Sequence, residues 1–283
     1  MTHSGMRITL LGTGSPIPDP NRAGPATLVQ AGGLDLLVDC GRGVLMRLAA
    51  SGASSVGQLH AQLLTHLHSD HVTDFNDVVT SRWITSMVPN PLRVVGPPNT
   101  RRFVDRTLEM LTDDIGYRLD HHDDLAEGPG VETTEVLDGD VTLPGLDEAG
   151  VRIIAAPTDH RPVAPTVGYR IEHDGHVVAL AGDTRPCDGL TRLVAGADVY
   201  VQTVIRDDII RQIPMQRLQD VCDYHSTVVD AAITATQADV GTLVLTHMVP
   251  APPPGAAQEW IDLAAEHFSG TIVAAEDLTV VET

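Results

Sequence analysis

The feature that most constrains this chain is a run of metal-ligand side chains directly after an apolar segment. Residues 65–71 read Thr-His-Leu-His-Ser-Asp-His, and imidazole nitrogen and carboxylate oxygen are ligands that zinc prefers. Side chains two apart on an extended segment point the same way, so His66 and His68 can bind one ion from a strand end. If a helix begins directly afterwards, Asp70 and His71 project from its first turn towards a second ion. A polar loop rich in histidine is the alternative, but this density of ligands favours a metal site.

Composition indicates an ordinary globular protein with a large negative charge. Hydrophobic residues make up 42% of the 283 positions and charged residues 20%, which allows a sizeable core. The formal net charge of −20 repels nucleic acid and anionic membrane surfaces unless basic residues cluster locally. The N-terminus lacks the apolar core of a secretory signal, no stretch is long enough to span a membrane, and the three cysteines show no CxxC spacing. We therefore expect a cytoplasmic protein with no membrane contact, folded as a single domain over residues 1–283.

Strand and helix patterns alternate along the chain in two similar halves. Short apolar runs predict strands, and Gly32-Gly33 and Asp174-Gly175 predict hairpin turns. The segment 243–247, Leu-Val-Leu-Thr-His, repeats the character of 62–66, Gln-Leu-Leu-Thr-His. We expect two sheets, each covered by helices and packed face to face, which is a four-layer αββα sandwich of the α/β (α+β) class. Residues 116–150 are charged and punctuated by glycine, and short irregular strands are expected there.

Three further ligand-type side chains, His160, Asp183 and His247, each follow a predicted strand. Because strand ends meet at one edge of a sheet, these side chains can lie beside the histidine cluster. Taken singly, each has another explanation, either a hydrogen-bonded loop histidine or an aspartate that caps a helix. A separate group, residues 121–124 (His-His-Asp-Asp), is expected to be a solvated loop, because adjacent side chains point apart.

The cluster and the three later ligands resemble the metallo-β-lactamase superfamily. The pattern His-x-His-x-Asp-His is followed in family order by separate His, Asp and His residues, and the matches extend from Leu10 to His247. More narrowly, the chain is similar to the branch that holds tRNase Z (ribonuclease Z) and its arylsulfatase-like and cyclic-nucleotide phosphodiesterase relatives. Supporting matches are LGTGSP at 11–16, VDCG at 38–41, GPPNT at 96–100, GYR at 168–170 and HST at 225–227.

The resemblance implies a dinuclear metal site built from seven side chains. The first ion is assigned to His66, His68 and His160, the second to Asp70, His71 and His247, and Asp183 bridges the two. Two zinc ions are expected, although manganese or iron would also suit these ligands. Two such ions about 3.5–4 Å apart can share a water, lower its pKa towards neutrality and stabilise the developing negative charge.

Asp70 and His225 are the expected catalytic residues. His225 would contact the oxyanion or protonate the leaving group, and the alternative is a helix-start histidine near solvent. In tRNase Z a glutamate pairs with this histidine, whereas here Gln202 holds that position. An amide can orient an imidazole but cannot stabilise its cation, so weaker general-acid help is expected. Asp39 is expected either to accept a hydrogen bond from a ligand imidazole or the bridging water, or to cap a helix.

Two further departures from tRNase Z concern the substrate. Bacterial short forms carry the arm that grips tRNA between the third histidine and the bridging aspartate, but here one predicted hairpin fills the interval between His160 and Asp183. Arg42 stands where the tRNase Z pattern has a glutamate. We therefore expect a dinuclear phosphodiesterase for small anionic diesters, cyclic nucleotides or RNA ends. The missing arm argues against three-prime processing of tRNA, and a homodimer is possible by the resemblance.

Other functions remain open at this point. An arylsulfatase, arylesterase or lactonase could use the same dimetal site on another ester, and Arg82, Arg161 and Arg185 near the motifs could serve an anionic substrate. A di-iron redox protein would carry a carboxylate in place of His68, and a non-catalytic binding protein would have lost ligands. The segment 205–219 could close over the site as a lid or form a dimer contact.

Overall fold

The computed structural model describes residues 5–253 and 255–283 and contains two seven-stranded sheets. The strands are β1 Arg7–Gly12, β2 Ala26–Ala31, β3 Leu34–Val38, β4 Leu59–Leu63, β5 Leu92–Gly96, β6 Val131–Glu135, β7 Gly139–Asp140, β8 Val151–Pro157, β9 Val167–His173, β10 His176–Leu180, β11 Val199–Ile205, β12 Thr242–Val249, β13 Thr271–Ala274 and β14 Thr279–Glu282. The first sheet has the order β14-β1-β2-β3-β4-β5-β6, and the second has the order β13-β12-β11-β10-β9-β8-β7.

Helices cover the outer face of each sheet. They are α1 Val44–Ser51, α2 Ser69–Val72, α3 Phe75–Thr85, α4 Thr100–Met110, α5 Thr112–His121, α6 Leu146–Ala149, α7 Asp188–Val194, α8 Asp207–Ile210, α9 Gln216–Gln219, α10 Val228–Gln237 and α11 Gln258–Ala265, with 3₁₀ turns at Val56–Gln58 and Asp220–Asp223. Apolar side chains of α1, α3 and α4 pack on the first sheet, and those of α7, α10 and α11 pack on the second. None of the helices in the described part of the chain is long and apolar enough to cross a membrane.

The central core lies between the two sheets. Ile8 and Leu63 of the first sheet and Ile171 and Val178 of the second belong to one fully buried cluster. Since few aromatic residues are present, this layer is built mainly from valine, leucine, isoleucine and alanine. The four-layer αββα sandwich expected from the sequence is confirmed.

Strand direction brings the ligand-bearing loops together. In the first sheet β4 runs parallel to β3 and β5, and in the second β11 runs parallel to β10 and β12. The carboxyl ends of parallel neighbours lie at one edge of a sheet, where side chains from successive loops can converge. The segments after β4, β10 and β11 therefore leave the sheets where the expected site residues are placed.

Two parts of the chain differ from the expectation. The C-terminal strand β14 pairs antiparallel with β1, with Arg7 opposite Glu282, and so joins the first sheet. The region expected to form only irregular strands begins inside α5, and Asp114 and Arg118 form an i,i+4 ion pair of 2.9 Å on this helix. Short strands β6 and β7 do follow, and residues 121–124 are exposed, as expected.

Candidate metal centre

The loop and short helix after β4 carry the histidine cluster. His68 is the residue before α2, and Asp70 and His71 lie in the first turn of that helix, as the sequence predicted. His66, Asp70 and His71 are buried, whereas His68 is half-exposed. This segment therefore turns most of its ligand atoms towards the interior.

One group of four side chains gathers at the ends of β4, β8 and β10. Its members are His66, His68, His160 and Asp183, each of which offers one ligand atom within 4.8 Å of the others. Nδ1 of His68 lies 3.1 Å from Nε2 of His66 and 3.3 Å from Nε2 of His160. Nitrogens of three imidazoles therefore face one point, which is an arrangement typical of a metal site.

A second group consists of Asp70, His71 and His247, with ligand atoms again within 4.8 Å of one another. Nε2 of His247 lies 3.1 Å from Oδ2 of Asp70. Asp183 stands between the two groups, because its Oδ1 is 3.4 Å from Nε2 of His71 while its Oδ2 is 3.8 Å from Nε2 of His66. All seven residues expected at the site are therefore brought together.

An irregularity in β12 directs His247 into this group. The strand continues past His247 to Val249, and its register with β11 slips by one residue between the Thr203–Thr246 and Ile205–Val249 pairs. His247 has a backbone φ of 50° at this slip. An extra residue in one strand bends the chain and re-aims a side chain.

Close contact between two loops depends on Gly182. This residue precedes Asp183 and has φ of 63°, a conformation that residues with a Cβ rarely adopt. A Cβ built on Gly182 would lie 2.8 Å from Cβ of Thr65, the residue before His66. The glycine therefore lets the ligand loops of the two sheets approach each other.

Asp39 connects the ligand loops by hydrogen bonds. Nδ1 of His71 donates to Oδ2 of Asp39 over 2.7 Å, while the amide and the hydroxyl of Thr65 donate to the same carboxylate over 2.8 Å. The Thr65 oxygen in turn accepts from Nδ1 of His66 at 3.0 Å. Of the two roles expected for Asp39, the contact with a ligand imidazole is the observed one. It leaves Nε2 of His71 facing the site.

Burial and charge set the protonation of the histidines. Burial lowers the pKa of His66 well below the ordinary value and that of His160 to about 4. For His71 and His247 burial acts in the same direction, but nearby carboxylates, Asp183 foremost, raise the pKa above the ordinary value. In the metal-free chain, burial therefore favours neutral imidazoles in the first group, whereas the carboxylates favour the protonated form of His71 and His247, which must lose that proton to bind a metal.

Unsatisfied buried atoms show that the residues fit metal ions. Nε2 of His71 and Oδ1 of Asp183 have no hydrogen-bond partner among the described residues, although both are buried. Buried polar atoms without partners are rare in folded proteins and call for an explanation such as an ion. Because each group combines imidazoles with a carboxylate, the donor set suits zinc.

His225 lies at the edge of this centre. Its Nε2 is 3.2 Å from Oδ2 of Asp183, and its Nδ1 donates to the carbonyl oxygen of Val221 over 3.0 Å. The side chain is buried, so the alternative of a histidine near solvent is wrong. Helix α10 begins at Val228, and its first turn is fixed by the reciprocal hydrogen bonds of Thr227 and Asp230.

Comparisons with known proteins identify the family. A model of the Beta-lactamase superfamily domain matches residues 35–248. A Ribonuclease Z of Mycolicibacterium paratuberculosis is 58% identical over 275 residues, which are 96% of either chain. The chain belongs to the ribonuclease Z family of the metallo-β-lactamase superfamily. As a member of this family it is a metal-dependent hydrolase, and the histidine and aspartate cluster agrees with the dinuclear zinc centre expected from the sequence.

Solved structures show the same fold in more distant proteins. The metallo-beta-lactamase fold protein YhfI from Bacillus subtilis superposes with a TM-score of 0.73 and 22% identity, covering 99% of this chain and 100% of that one. The short form of human tRNase Z gives a TM-score of 0.72 and 22% identity, covering 97% and 98%. Both likenesses concern the fold.

The expected role of Gln202 beside His225 is wrong in this ribonuclease Z family member. Oε1 of Gln202 accepts from the hydroxyl of Tyr200, and its Nε2 donates to the carbonyl oxygen of Thr203 over 2.7 Å. Alternation along β11 places Gln202 on the same face as Tyr200, which packs against the helices and not towards His225. A backbone carbonyl, that of Val221, orients the imidazole instead.

Arginines expected near the motifs have different environments. Arg82 is buried and donates to the carbonyl oxygens of Val56, Leu59 and Asn90, so it braces the fold and does not face the site. Arg161 and Arg185 are exposed, and each lies within two residues of an expected ligand, His160 or Asp183.

Sequence reasoning also missed the hydrogen-bond acceptor of His160. Nδ1 of His160 donates over 2.9 Å to the carbonyl oxygen of Tyr224, and no side-chain pattern marks such a group. Thr65, also missed, did carry a signal, because a threonine precedes the ligand histidine at both 65–66 and 246–247.

Proposed function

We propose that this chain is a ribonuclease that hydrolyses phosphodiester bonds of RNA at a two-metal centre. The observation that carries the proposal is the pair of adjacent ligand groups, which Asp183 connects, in a chain 58% identical to a Ribonuclease Z. The residues assigned to the metals are His66, His68 and His160 for the first, Asp70, His71 and His247 for the second, and Asp183 for both. Zinc is the metal we assign, by the chemistry of these donors.

Bound metal ions would supply a water of lowered pKa and positive charge opposite the reacting phosphate. The chain itself holds the ligands in place: Asp39 orients His71, and the carbonyl oxygen of Tyr224 orients His160. Asp70 and His225 are the proposed catalytic residues. Oδ2 of Asp70 faces the centre, where a carboxylate can orient the attacking water, and Nε2 of His225 can contact a phosphate oxygen or the leaving group.

The absence of a tRNA-gripping arm does not exclude RNA. The interval between His160 and Asp183, all of it described, holds only a loop and the hairpin of β9 and β10. The Ribonuclease Z from M. paratuberculosis aligns over 96% of either chain, so the two have nearly the same length. The half-buried ring of Tyr224 lies 5.1 Å from the ring of His160 and 4.7 Å from that of His225. An aromatic ring at this place offers a surface on which a base can stack.

A small anionic diester or sulfate ester is the second candidate substrate. The net charge of −20 favours a ligand that contacts only the centre over a long polyanion. The same ligand set could then act as an arylsulfatase, arylesterase or lactonase. The partial exposure of His68 favours this candidate, because a small ester can reach that side of the centre.

We also propose that residues 1–283 form a single domain, that the protein acts in the cytoplasm and that it forms a homodimer. The pairing of β14 with β1 supports one domain, since the last strand belongs to the first sheet. The segment 205–219 contains α8 and α9 and leads into the carbonyl groups that orient His160 and His225. We assign to it the support of the site in preference to a lid.

The proposal can be tested on four substrates in parallel with zinc-loaded protein. These are a tRNA precursor, bis-p-nitrophenyl phosphate, p-nitrophenyl sulfate and p-nitrophenyl acetate. His68→Ala should abolish activity, and His121→Ala, which removes an exposed histidine far from the cluster in sequence, should not. Cleavage of the RNA that depends on His68 would support the proposal. Sulfate or acetate turnover with intact RNA and diester would overturn it in favour of the second candidate.

A further inference from the structure

Two exposed arginines lie within two residues of proposed metal ligands along the chain and share one carboxylate. Arg161 directly follows His160, and Arg185 lies two residues after Asp183, so each belongs to a ligand loop. Asp159 stands between them and accepts from both side chains. We call Arg161 and Arg185 the arginine pair.

Asp159 holds the arginine pair in a fixed place. Arg161 binds it with two groups, Nε to Oδ1 at 2.8 Å and Nη2 to Oδ2 at 2.7 Å. Arg185 binds it with Nε and Nη2, both 2.8 Å from Oδ2. The backbone adds a hydrogen bond of 3.0 Å from the Arg185 amide to the Asp159 carbonyl oxygen. The guanidinium groups are therefore ordered before any substrate arrives.

Most donors of the arginine pair remain available. Each guanidinium has five N–H groups. Arg161 donates two of them to Asp159, whereas Arg185 donates one and places Nη2 in ion-pair contact with the same carboxylate; the described residues offer neither side chain a further hydrogen-bond acceptor. The side chains of Arg161 and Arg185 are 69% and 46% exposed, so the remaining donors can reach a ligand. Guanidinium groups bind phosphate oxygens through parallel N–H groups.

Charge balance distinguishes this cluster from the other ion pairs. The chain has 18 arginines and no lysine, so arginine must supply the permanent positive charge of any side chain that meets a polyanion outside the metal centre. By contrast, Arg152 faces two carboxylates, Asp140 and Glu172, and Arg206 faces Asp208 and Glu259. The arginine pair has two positive charges on one carboxylate, which leaves a net charge of +1 beside the metal centre. The arginine side chains hold the pKa of Asp159 well below its usual range, so the carboxylate stays ionised.

We infer that the arginine pair binds a backbone phosphate of the RNA strand next to the bond that is cleaved. The inference rests on the proposed function and specifies how the site recognises its substrate. The amide of Ser226, next to His225, donates to the carbonyl oxygen of Thr184, next to Arg185, over 2.8 Å. This hydrogen bond connects the loop that carries Arg185 to the segment that carries His225. Binding at this place positions a strand with respect to the centre without reading its sequence.

A purely structural role makes a different prediction. Asp159 and Arg185 connect the loops of His160 and Asp183, so they could serve only to hold two ligands. Loss of such a structural link would lower the zinc content and reduce the turnover of every substrate equally. Loss of a phosphate contact would raise the KM for RNA alone and weaken its dependence on salt.

The experiment compares Arg161→Gln, Arg185→Gln and Arg185→Lys with Arg152→Gln, a control that removes an exposed arginine on β8. Zinc-loaded proteins are assayed on a tRNA precursor at several salt concentrations and on bis-p-nitrophenyl phosphate, with bound zinc measured in each. We expect each glutamine variant of the pair to raise the KM for RNA about tenfold at unchanged kcat. The slope of log KM against log salt should fall by about 0.7 for each. Arg185→Lys should keep the wild-type slope of log KM against log salt. In every variant of the arginine pair, turnover of bis-p-nitrophenyl phosphate and zinc content should match those of Arg152→Gln.

The outcomes separate the inference from the proposed function. Glutamine variants whose KM and salt slope match those of Arg152→Gln would overturn the inference and leave the ribonuclease intact. Reduced zinc content with an equal loss of activity on RNA and on the diester would overturn the inference in favour of a purely structural role. If the wild-type protein cleaves the diester but no RNA, the proposed function fails and the inference fails with it.

Discussion

Oδ2 of Asp39 lies 2.7 Å from Nδ1 of His71, and the same carboxylate accepts two hydrogen bonds from Thr65. Asp39 follows β3, Thr65 follows β4 and His71 belongs to α2. One side chain therefore joins the three segments that surround the histidine cluster. It orients the imidazole of a ligand from outside the centre, as partners of metal-binding histidines commonly do.

Substitution of Asp39 should affect zinc affinity more strongly than it affects the free energy of unfolding. In Asp39→Asn an amide replaces the charged acceptor of His71, so zinc affinity should fall about 10- to 100-fold. Competition with a coloured chelator measures this affinity. Asp35→Asn, which alters a carboxylate of β3 bonded to Gln30 and Ser54, is the control and should bind zinc as the wild type does. Equal affinities for both variants would show that the contact with His71 does not support the metal.

Gly182 should not tolerate a larger residue, because a side chain would clash with Thr65 in addition to straining a backbone with positive φ. Gly182→Ala places a Cβ 2.8 Å from Cβ of Thr65, whereas Gly175→Ala, at φ of 82° in the β9–β10 turn, meets nothing within 4 Å. Both variants should lose about 1–2 kcal/mol of unfolding free energy through backbone strain. Only Gly182→Ala should also bind less zinc, because the clash separates the two ligand loops. Denaturation curves and zinc content test both statements, and full zinc binding by Gly182→Ala would refute the second.

Restoring the family's glutamate should not improve catalysis. Gln202→Glu buries a carboxylate on the helix-facing side of β11, where Tyr200 is its neighbour and His225 is not. We expect no rise in kcat and a loss of unfolding free energy of about 1–3 kcal/mol, since the donor to Thr203 is removed and a charge is buried. Gln62→Glu is the matched control, because Gln62 is also fully buried in a strand. A several-fold rise in kcat for Gln202→Glu alone would contradict the position that we describe.

The metal-free protein should be most stable near pH 6.5, the ordinary pKa of histidine. Below this pH, burial keeps the pKa of His66, His68 and His160 low, so the unfolded chain binds protons that the folded one does not. Above it, His71 and His247 keep their protons in the folded state, because nearby carboxylates raise the pKa of both against the effect of burial. Stability should therefore fall on both sides of the maximum.

Melting temperatures with a chelator, measured from about pH 5 to 9, test this dependence. Zinc competes with the protons on His71 and His247, so zinc-loaded protein should keep its stability above pH 6.5. A metal-free protein whose melting temperature continues to rise above pH 6.5 would contradict the assignment of charge to these two histidines.

The sequence predicted the parts of the molecule that depend on local pattern. His66 to His71 could be placed because strand and helix periodicity decides where neighbouring side chains point, and the later ligands followed from their positions after strands. Strand β14 was missed because its partner β1 lies at the other end of the chain, and no local signal marks so distant a pairing. The carbonyl oxygens of Val221 and Tyr224 were missed because every residue carries one. Gln202 was placed from family position, whereas strand alternation with Tyr200 would have put it on the opposite face.

The proposed two-metal ribonuclease activity can be tested by the cleavage of a tRNA precursor by zinc-loaded wild-type protein and Asp183→Asn, with bound zinc measured in the same samples. Asp183 lies between the two ligand groups, with Oδ1 3.4 Å from Nε2 of His71 and Oδ2 3.8 Å from Nε2 of His66. We expect two zinc ions and RNA cleavage for the wild type, and fewer than two ions with a loss of rate of about 10³-fold or more for the variant. A wild type that holds two zinc ions and leaves the RNA intact, or a variant that cleaves RNA at the wild-type rate, would contradict this expectation.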